Sequence, residues 1–441
     1  MSFSAAAAHA QAQPSAERFW HQWRGPHATG VAPHAKPPVE WSESKNLRWK
    51  VEIPGKGSSS PIVWGDLVFV TTAVPTDKPL KPRAGAAPAD SGSRHRAVSA
   101  PGAAQEFVVL AYGREDGKVQ WRKTVREEFP HEGTHQDGTF ASGSAVTDGE
   151  RLYAFFGSRG LYCLDLKGKL LWEKDLGLMA TKNSFGEGAS PALHGDRLVV
   201  NWDHEGDSFL VALDKKTGRE LWRVPRPEKT TWATPLVVAH GGKTHVVTSA
   251  SGRVRSYDLQ DGKLLWEGPG LTPNAIPSPV FGDGIVYLTS GFRGNALFAV
   301  RLSAAQGDIT GTPAIAWSYD RDTPYVPSPL LYQGGLYFLK SNSAILTRLD
   351  AATGEKHFSD RLGTLENVYA SPVGAAGRVY VVDRGGAVAV LEAGRELKLL
   401  AVNTLADGFD ASPALADGDL YLRGKRYLYR IAEGAKTAKT N

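Results

Sequence analysis

The chain has 441 residues, enough for two or three ordinary domains or for one closed ring of repeats. Its net charge of +5 comes from interleaved basic and acidic residues, which excludes a nucleic-acid footprint and leaves a weak preference for anionic partners. The single cysteine, Cys163, excludes an intrachain disulfide, a cysteine-rich zinc site and a Cys-x-x-Cys-His haem attachment.

In chain order, residues 1–18 come first. Ser4 to Gln13 is alanine-rich, and Ala8-His9-Ala10 has the small-x-small form of a signal-peptidase site, without a basic n-region or a full apolar stretch. This segment has two readings. A shortened export signal would place the protein outside the cytoplasm, periplasmic or secreted; a disordered tail would leave it cytoplasmic. Residues 19–46 carry Trp20, Trp23 and Trp41 and are expected to form an ordered strap on the outside of the repeat region. A run of about 18 apolar residues is missing, so no transmembrane segment is expected.

From residue 47 to 432 one pattern recurs. It opens on Ser-Pro or a variant and runs into an apolar strand, a Gly/Asp turn and an alternating strand. A strand ending in Leu-Asp, a Gly-Lys turn and a closing Leu-Trp complete it. The openings are Ser60, Ser144, Ser190, Thr234, Ser278, Ser328, Ser371 and Ser412. After the first interval they lie about 41 to 50 residues apart, the spacing of four-stranded propeller blades. The fold class is therefore all-β: an eight-bladed β-propeller of four-stranded antiparallel blades. The closing aromatics are Trp121, Trp172, Trp222, Trp266, Trp317 and Phe358, while the seventh unit has lost its aromatic. The eighth unit has only three strands of its own. Leu47–Val51, with Trp49, supplies the fourth, so the N-terminal strand closes the last blade. Cys163 lies in the strand-like run Leu161–Leu164 and is expected in the core. Residues 74–105 are rich in Pro, Ala, Ser and basic groups and are expected to form a flexible insertion within blade 1. Residues 433–441 are expected to be a disordered tail, and the whole to be a monomer.

These aligned units resemble the pyrroloquinoline-quinone (PQQ)-like propeller superfamily. Gln22-Trp23-Arg24-Gly25-Pro26, with Gly30 and Trp41, is similar to its exported bacterial members of unassigned role. The resemblance implies the propeller fold. It also implies three kinds of function: PQQ-dependent dehydrogenation, envelope assembly in the manner of BamB, and binding without catalysis. It departs from the first in lacking the vicinal Cys-Cys of quinone-dependent alcohol dehydrogenases. The lipidated cysteine of BamB-type members is likewise absent, since the only cysteine is at 163.

Strand alternation sends the connectors between blades, and the loops between second and third strands, to one face. These segments are rich in functional side chains and are expected to form a polar and aromatic funnel. The candidate ligand-binding residues are Asn183, Glu187, Trp202, Asp203, His204, Glu205, Thr231, Trp232, Asn274, Arg321, Asp322, Tyr325, Asn367, Tyr369 and Asp410. His131-Glu132-Gly133-Thr134-His135 matches the His-Glu-x-x-His zinc motif. That motif needs a helix, whereas Pro130, Gly133 and the flanking strands oppose one. A metal held otherwise, by His131, Glu132, His135 and His204, stays open, as do PQQ and a divalent cation as cofactors. The ligand is expected to be a small molecule, a glycan, a polymer or a protein. A metal- or histidine-assisted carbohydrate lyase or hydrolase is a further alternative, with no catalytic residue assigned.

Overall fold

The computed structural model describes residues 16–81, 83, 98–99 and 101–436. The alanine-rich start with its two readings, most of the blade 1 insertion and residues 437–441 lie outside the described residues.

Eight four-stranded antiparallel sheets form a propeller ring. In blade 1 the strands are Ile62–Trp64, Leu67–Thr76, Ala104–Gly113 and Val119–Glu128. The second and third pair as far as Thr76 opposite Ala104, so 74–76 and 104–105 belong to the sheet and the insertion is shorter than expected. Within it, Val98–Ser99 pairs with Thr134–His135. Blade 8 takes three strands from 414–436 and its outer strand from Lys45–Glu52 at the other end of the chain, with Trp49 opposite Arg430. The closure expected from the incomplete eighth repeat is thus present.

Two repeated contacts join the blades. Around the axis, the backbone N–H of each opening Ser or Thr donates to the hydroxyl of the next one. The chain of bonds runs from Ser60 through Ser144, Ser190, Thr234, Ser278, Ser328 and Ser371 to Ser412. Ser60 closes the circle by donating its own hydroxyl to the Ser412 carbonyl. At the periphery, the closing tryptophans donate their indole N–H to a carbonyl of the following blade: Trp49 to Arg114, Trp121 to Leu166, Trp172 to Lys215 and Trp222 to Leu259. Each ring lies against the Gly of the neighbour's turn. A Cβ at Gly262 (φ +76°) would come within 2.9 Å of the Trp222 ring, which is why the repeat needs glycine there.

Trp266 departs from this pattern. The turn it faces is replaced in blade 5 by the single helical turn Leu302–Ala304, and Gly307–Asp308 adds a parallel strand against Leu264–Glu267. Trp266 is fully buried and its indole N–H has no partner among the described residues. Cys163 is likewise a core residue, with burial pushing its thiol up to about 12.

The strap does not lie on the outside, as its position before the ring had implied. Its first half enters the axial channel. The Trp20 and His21 carbonyls accept from the first strands of blades 1 and 2 through Val63 and Thr147. The Trp23 indole donates to Ser278 of the hydroxyl ring, and the buried Arg24 donates to the Pro329 and Pro372 carbonyls. The first two of the three strap tryptophans therefore help seal the centre, and only the second half, around Trp41, runs across blade 7 to reach the closing strand.

Candidate functional site

Because the first strands surround the axis and the strap crosses the channel, the centre is divided in two. On the connector face lies a cavity of about 410 Å³ with the Ser/Thr ring around its base and Trp23 in its floor. Below the strap lies a second space of about 600 Å³, bounded by Trp23, Arg24 and the first strands of blades 3 to 5.

The upper cavity has two unlike walls. One is aromatic and apolar: Phe185, Trp232, Phe292, Tyr325 and Ile276. Phe292 and Tyr325 stack with centroids 4.7 Å apart, and Trp232 is held by donating its indole N–H to the Gly186 carbonyl at 2.7 Å. The other wall carries Asp137, Tyr369 and Asp410, with Arg384 behind them. Arg384 donates to Asp410 at 2.5 Å and to Asp137 at 2.9 Å, and its guanidinium lies over the Tyr369 ring at 4.1 Å. Tyr369 donates its hydroxyl to Asp137. The Arg384 cation holds the Asp137 carboxyl below its ordinary range against the opposing effect of burial, while burial pushes the Tyr369 phenol up to about 12. His135 stands 3.6 Å from Asp137 and edge-on to Phe185. An apolar, stacking half facing a polar, charged half suits an amphiphilic ligand with a flat face.

Of the residues expected to bind ligand, Glu187, Trp232, Tyr325, Tyr369 and Asp410 reach this cavity. Asn274 is buried beside it and donates to the Tyr325 hydroxyl at 3.4 Å. The others lie elsewhere, for identifiable reasons. Trp202 is 1% exposed, stacked on Phe209 and packed on Phe155 between blades 2 and 3, so it is a core residue. Asp203 is buried in a two-pronged ion pair with Arg226, at 2.7 and 2.9 Å, and also accepts from Thr231 and Asn201. Glu205 accepts from Thr230 and ties two connectors together. Asn183, Arg321 and Asn367 are exposed and Asp322 pairs with Lys340; none of these four borders the cavity.

The metal candidates separate in the same way. Thr134–His135 is a two-residue strand, so the His-Glu-x-x-His run has no helix and its histidines do not converge. Among the described residues only His131, Glu132 and, unforeseen, Glu187 come together, with ligand atoms within 4.8 Å of one another. His131 is committed on both sides: Nε2 donates to the Met179 carbonyl at 2.7 Å, which leaves Nδ1 to accept from Arg159. Glu187 accepts from Ser158 and Arg159, and Glu132 from the hydroxyl and N–H of Thr181. Burial pushes the Glu132 carboxyl up to about 7 and the His131 imidazole down. A divalent cation would have to displace these bonds beside the Arg159 guanidinium, so the donor set does not fit one. His204 accepts on Nδ1 from Ala180 and Gly206 while Nε2 faces the Asp207 carbonyl, and it stands outside the cluster. A quinone cofactor partnered by a divalent cation meets the same obstacle, since Asp137, Asp410 and Glu187 are each engaged by an arginine.

Trp23, Asp137 and Phe292, which border the cavity, and Arg384, which holds Asp137 and Asp410, are the residues of this region that sequence reasoning passed over. Phe292 and Arg384 occupy second-to-third-strand loops of blades 5 and 7, which the same topological rule places on this face.

A family profile described as outer membrane protein assembly factor BamB matches residues 105–360. BamB of Yersinia pestis is 23% identical over 283 residues, covering 52% of this chain and 70% of that protein. A lanthanide-dependent methanol dehydrogenase of Methylorubrum extorquens is 35% identical over 82 residues, 16% of this chain; the match spans only 13% of the enzyme. Among solved structures, the quinohemoprotein alcohol dehydrogenase of Comamonas testosteroni superposes with a TM-score of 0.65 at 12% identity, covering 96% of this chain and 82% of the other, a likeness of fold alone. With more than half of the sequence matched and eight blades joined in a ring, the chain belongs to the PQQ-like β-propeller family.

Proposed function

We propose that this propeller is a ligand-binding protein that takes a glycan, or a small molecule of similar shape, in the connector-face funnel. One observation carries the reading: a cavity of about 410 Å³ with Trp232, Phe292 and Tyr325 on one side and, on the other, Asp137 and Asp410, both held from behind by Arg384. Sugars present an apolar face for stacking and hydroxyls for charged hydrogen-bond partners, and this pairing of walls supplies both. Binding is favoured over quinone-dependent oxidation because the funnel carboxylates and His131 are already committed. Relatives named for outer membrane assembly support a location outside the cytoplasm.

Tryptophan fluorescence of the full chain, titrated with a panel of neutral and acidic oligosaccharides, tests this. Quenching is expected, with affinity reduced at least about tenfold in Trp232→Ala, the loss of one stacking platform. Saturating sugar that leaves the emission unchanged would refute the glycan reading.

A second reading, scaffolding of membrane-protein assembly, is supported by the family match. Co-purification of an envelope partner, blocked by substitutions at the funnel rim, would favour it; no such partner would remove its support.

A further inference from the structure

The charged wall of the funnel opens sideways between blades 8 and 1 into a lobe of about 260 Å³. Ser58, Asp137, Thr139 and Asp410 border both spaces. At the back of the lobe is Arg423, at the end of the second strand of blade 8. It is 2% exposed, yet no carboxylate among the described residues pairs with it. Its Nη1 donates to neutral acceptors, the Ser59 hydroxyl and the Thr71 carbonyl, and its Nε is buried without a partner among the described residues. Its Nη2 makes no hydrogen bond with the described residues and lies against Gly57, where a Cβ would approach it to 2.3 Å. Among the other deeply buried arginines, Arg226 has Asp203, Arg255 has Glu228 and Arg159 has Glu187; Arg24 also has no carboxylate among the described residues, but both of its terminal nitrogens donate to carbonyls, whereas Nη2 of Arg423 does not.

Burial lowers the Arg423 guanidinium to about 10, so it remains a cation at neutral pH. Around it the lobe collects Lys56, Arg384 and Lys425 against only Asp137 and Asp410: four cations to two carboxylates. A buried charge without a partner is unfavourable, and the arrangement persists most readily where an incoming group completes it.

We propose that this lobe is an anion subsite, which receives a carboxylate or sulfate substituent of the ligand whose body stacks in the funnel. An oxyanion accepts from the free Nη2 of Arg423 at the back and from Lys425 at the mouth. The class of ligand is therefore an acidic saccharide, uronic or sulfated. This deepens the funnel reading and rests on it for the ligand's body, but not for the anion itself.

The test separates the two. Inorganic sulfate, at constant ionic strength, is expected to raise the melting temperature of the full chain. The effect should be lost in Arg423→Met and reduced in Lys425→Glu, a site exposed enough to leave folding unaffected. Glucuronate is expected to quench tryptophan emission with at least about tenfold higher affinity than glucose, and Lys425→Glu to abolish that preference. Sulfate that shifts wild type and both variants equally, with glucuronate and glucose bound alike, overturns the subsite and leaves the funnel reading standing. A sulfate shift that depends on Arg423 and Lys425, with neither sugar bound, supports the subsite and overturns the glycan reading instead.

Discussion

Replacing Glu132 by Gln tests the electrostatics of the connector face directly. The Glu132 carboxyl accepts from the Thr181 N–H and hydroxyl and has no cationic hydrogen-bond partner among the described residues. Burial raises its pKa from 4.5 to about 7. The folded chain thus holds this proton more tightly than the unfolded chain. The resulting stability is fully present below pH 4.5 and is lost as pH rises through about 7. At about 1.36 kcal/mol per unit, ionising Glu132 in place removes about 3 kcal/mol. Glutamine keeps a carbonyl for Thr181 and cannot ionise. Glu132→Gln should match wild type near pH 4.5 and exceed it by about 3 kcal/mol at pH 8. Equilibrium urea unfolding between these limits, with unchanged m-values, measures the difference. Parallel pH profiles would refute the reasoning. A metal site at His131, Glu132 and Glu187 makes the opposite forecast, because zinc would then stabilise wild type and not the variant.

Two further predictions concern the ring itself. Trp222→Phe leaves the buried Leu259 carbonyl without its donor, whereas Trp266→Phe removes an indole N–H that had no acceptor among the described residues. Trp222→Phe should therefore cost about 2 kcal/mol more than Trp266→Phe in urea midpoint experiments, and equal or reversed costs would contradict the contact scheme. Asp203→Ala strands the Arg226 cation in a site where both side chains are wholly buried, so a loss of about 3–5 kcal/mol is expected. Asp203→Leu combined with Arg226→Met should recover most of it, and a double mutant no better than Asp203→Ala would count against the pairing.

The blades were legible in the sequence because each repeated residue does one job at a fixed phase. The opening hydroxyls staple the axis, the glycine turns receive the tryptophans, and the incomplete eighth unit needs Lys45–Glu52. Single residues were less legible. Trp202 fell outside the tryptophan phase, but Leu198, Val200 and Trp202 alternate onto one face of their strand and share one core cluster. That period-two pattern was the signal for a buried role. Arg384 and Asp137 are 247 residues apart, and only ring closure brings them together. No local spacing announces such a pair. The strap was misplaced for a related reason: Trp23 and Arg24 find their acceptors at Ser278, Pro329 and Pro372, on blades their own sequence does not indicate.

The distribution of satisfied and unsatisfied groups then decides which part of the connector face is available to a ligand. Over blades 2 to 4 the polar connectors bind one another. Glu132 is held by Thr181, Lys182 by Thr230, Glu205 by Thr230 and Asp203 by Arg226. Such a network gains its strength from low dielectric, and a ligand there would have to break it. This is why the polar side chains of Glu132, Asp203 and Glu205 reinforce the connectors, while His135 borders the cavity. Toward blades 5 to 8 the balance changes. Stacked aromatics at Phe292 and Tyr325 face open space, the Asn274 carbonyl oxygen is buried without a partner among the described residues, and Nη2 of Arg423 makes no hydrogen bond with them. Groups of that kind gain most from an incoming partner, since their desolvation has already occurred in the folded chain. The side of the funnel toward blades 5 to 8 is therefore the one whose polar and aromatic groups have more left to offer the proposed ligand.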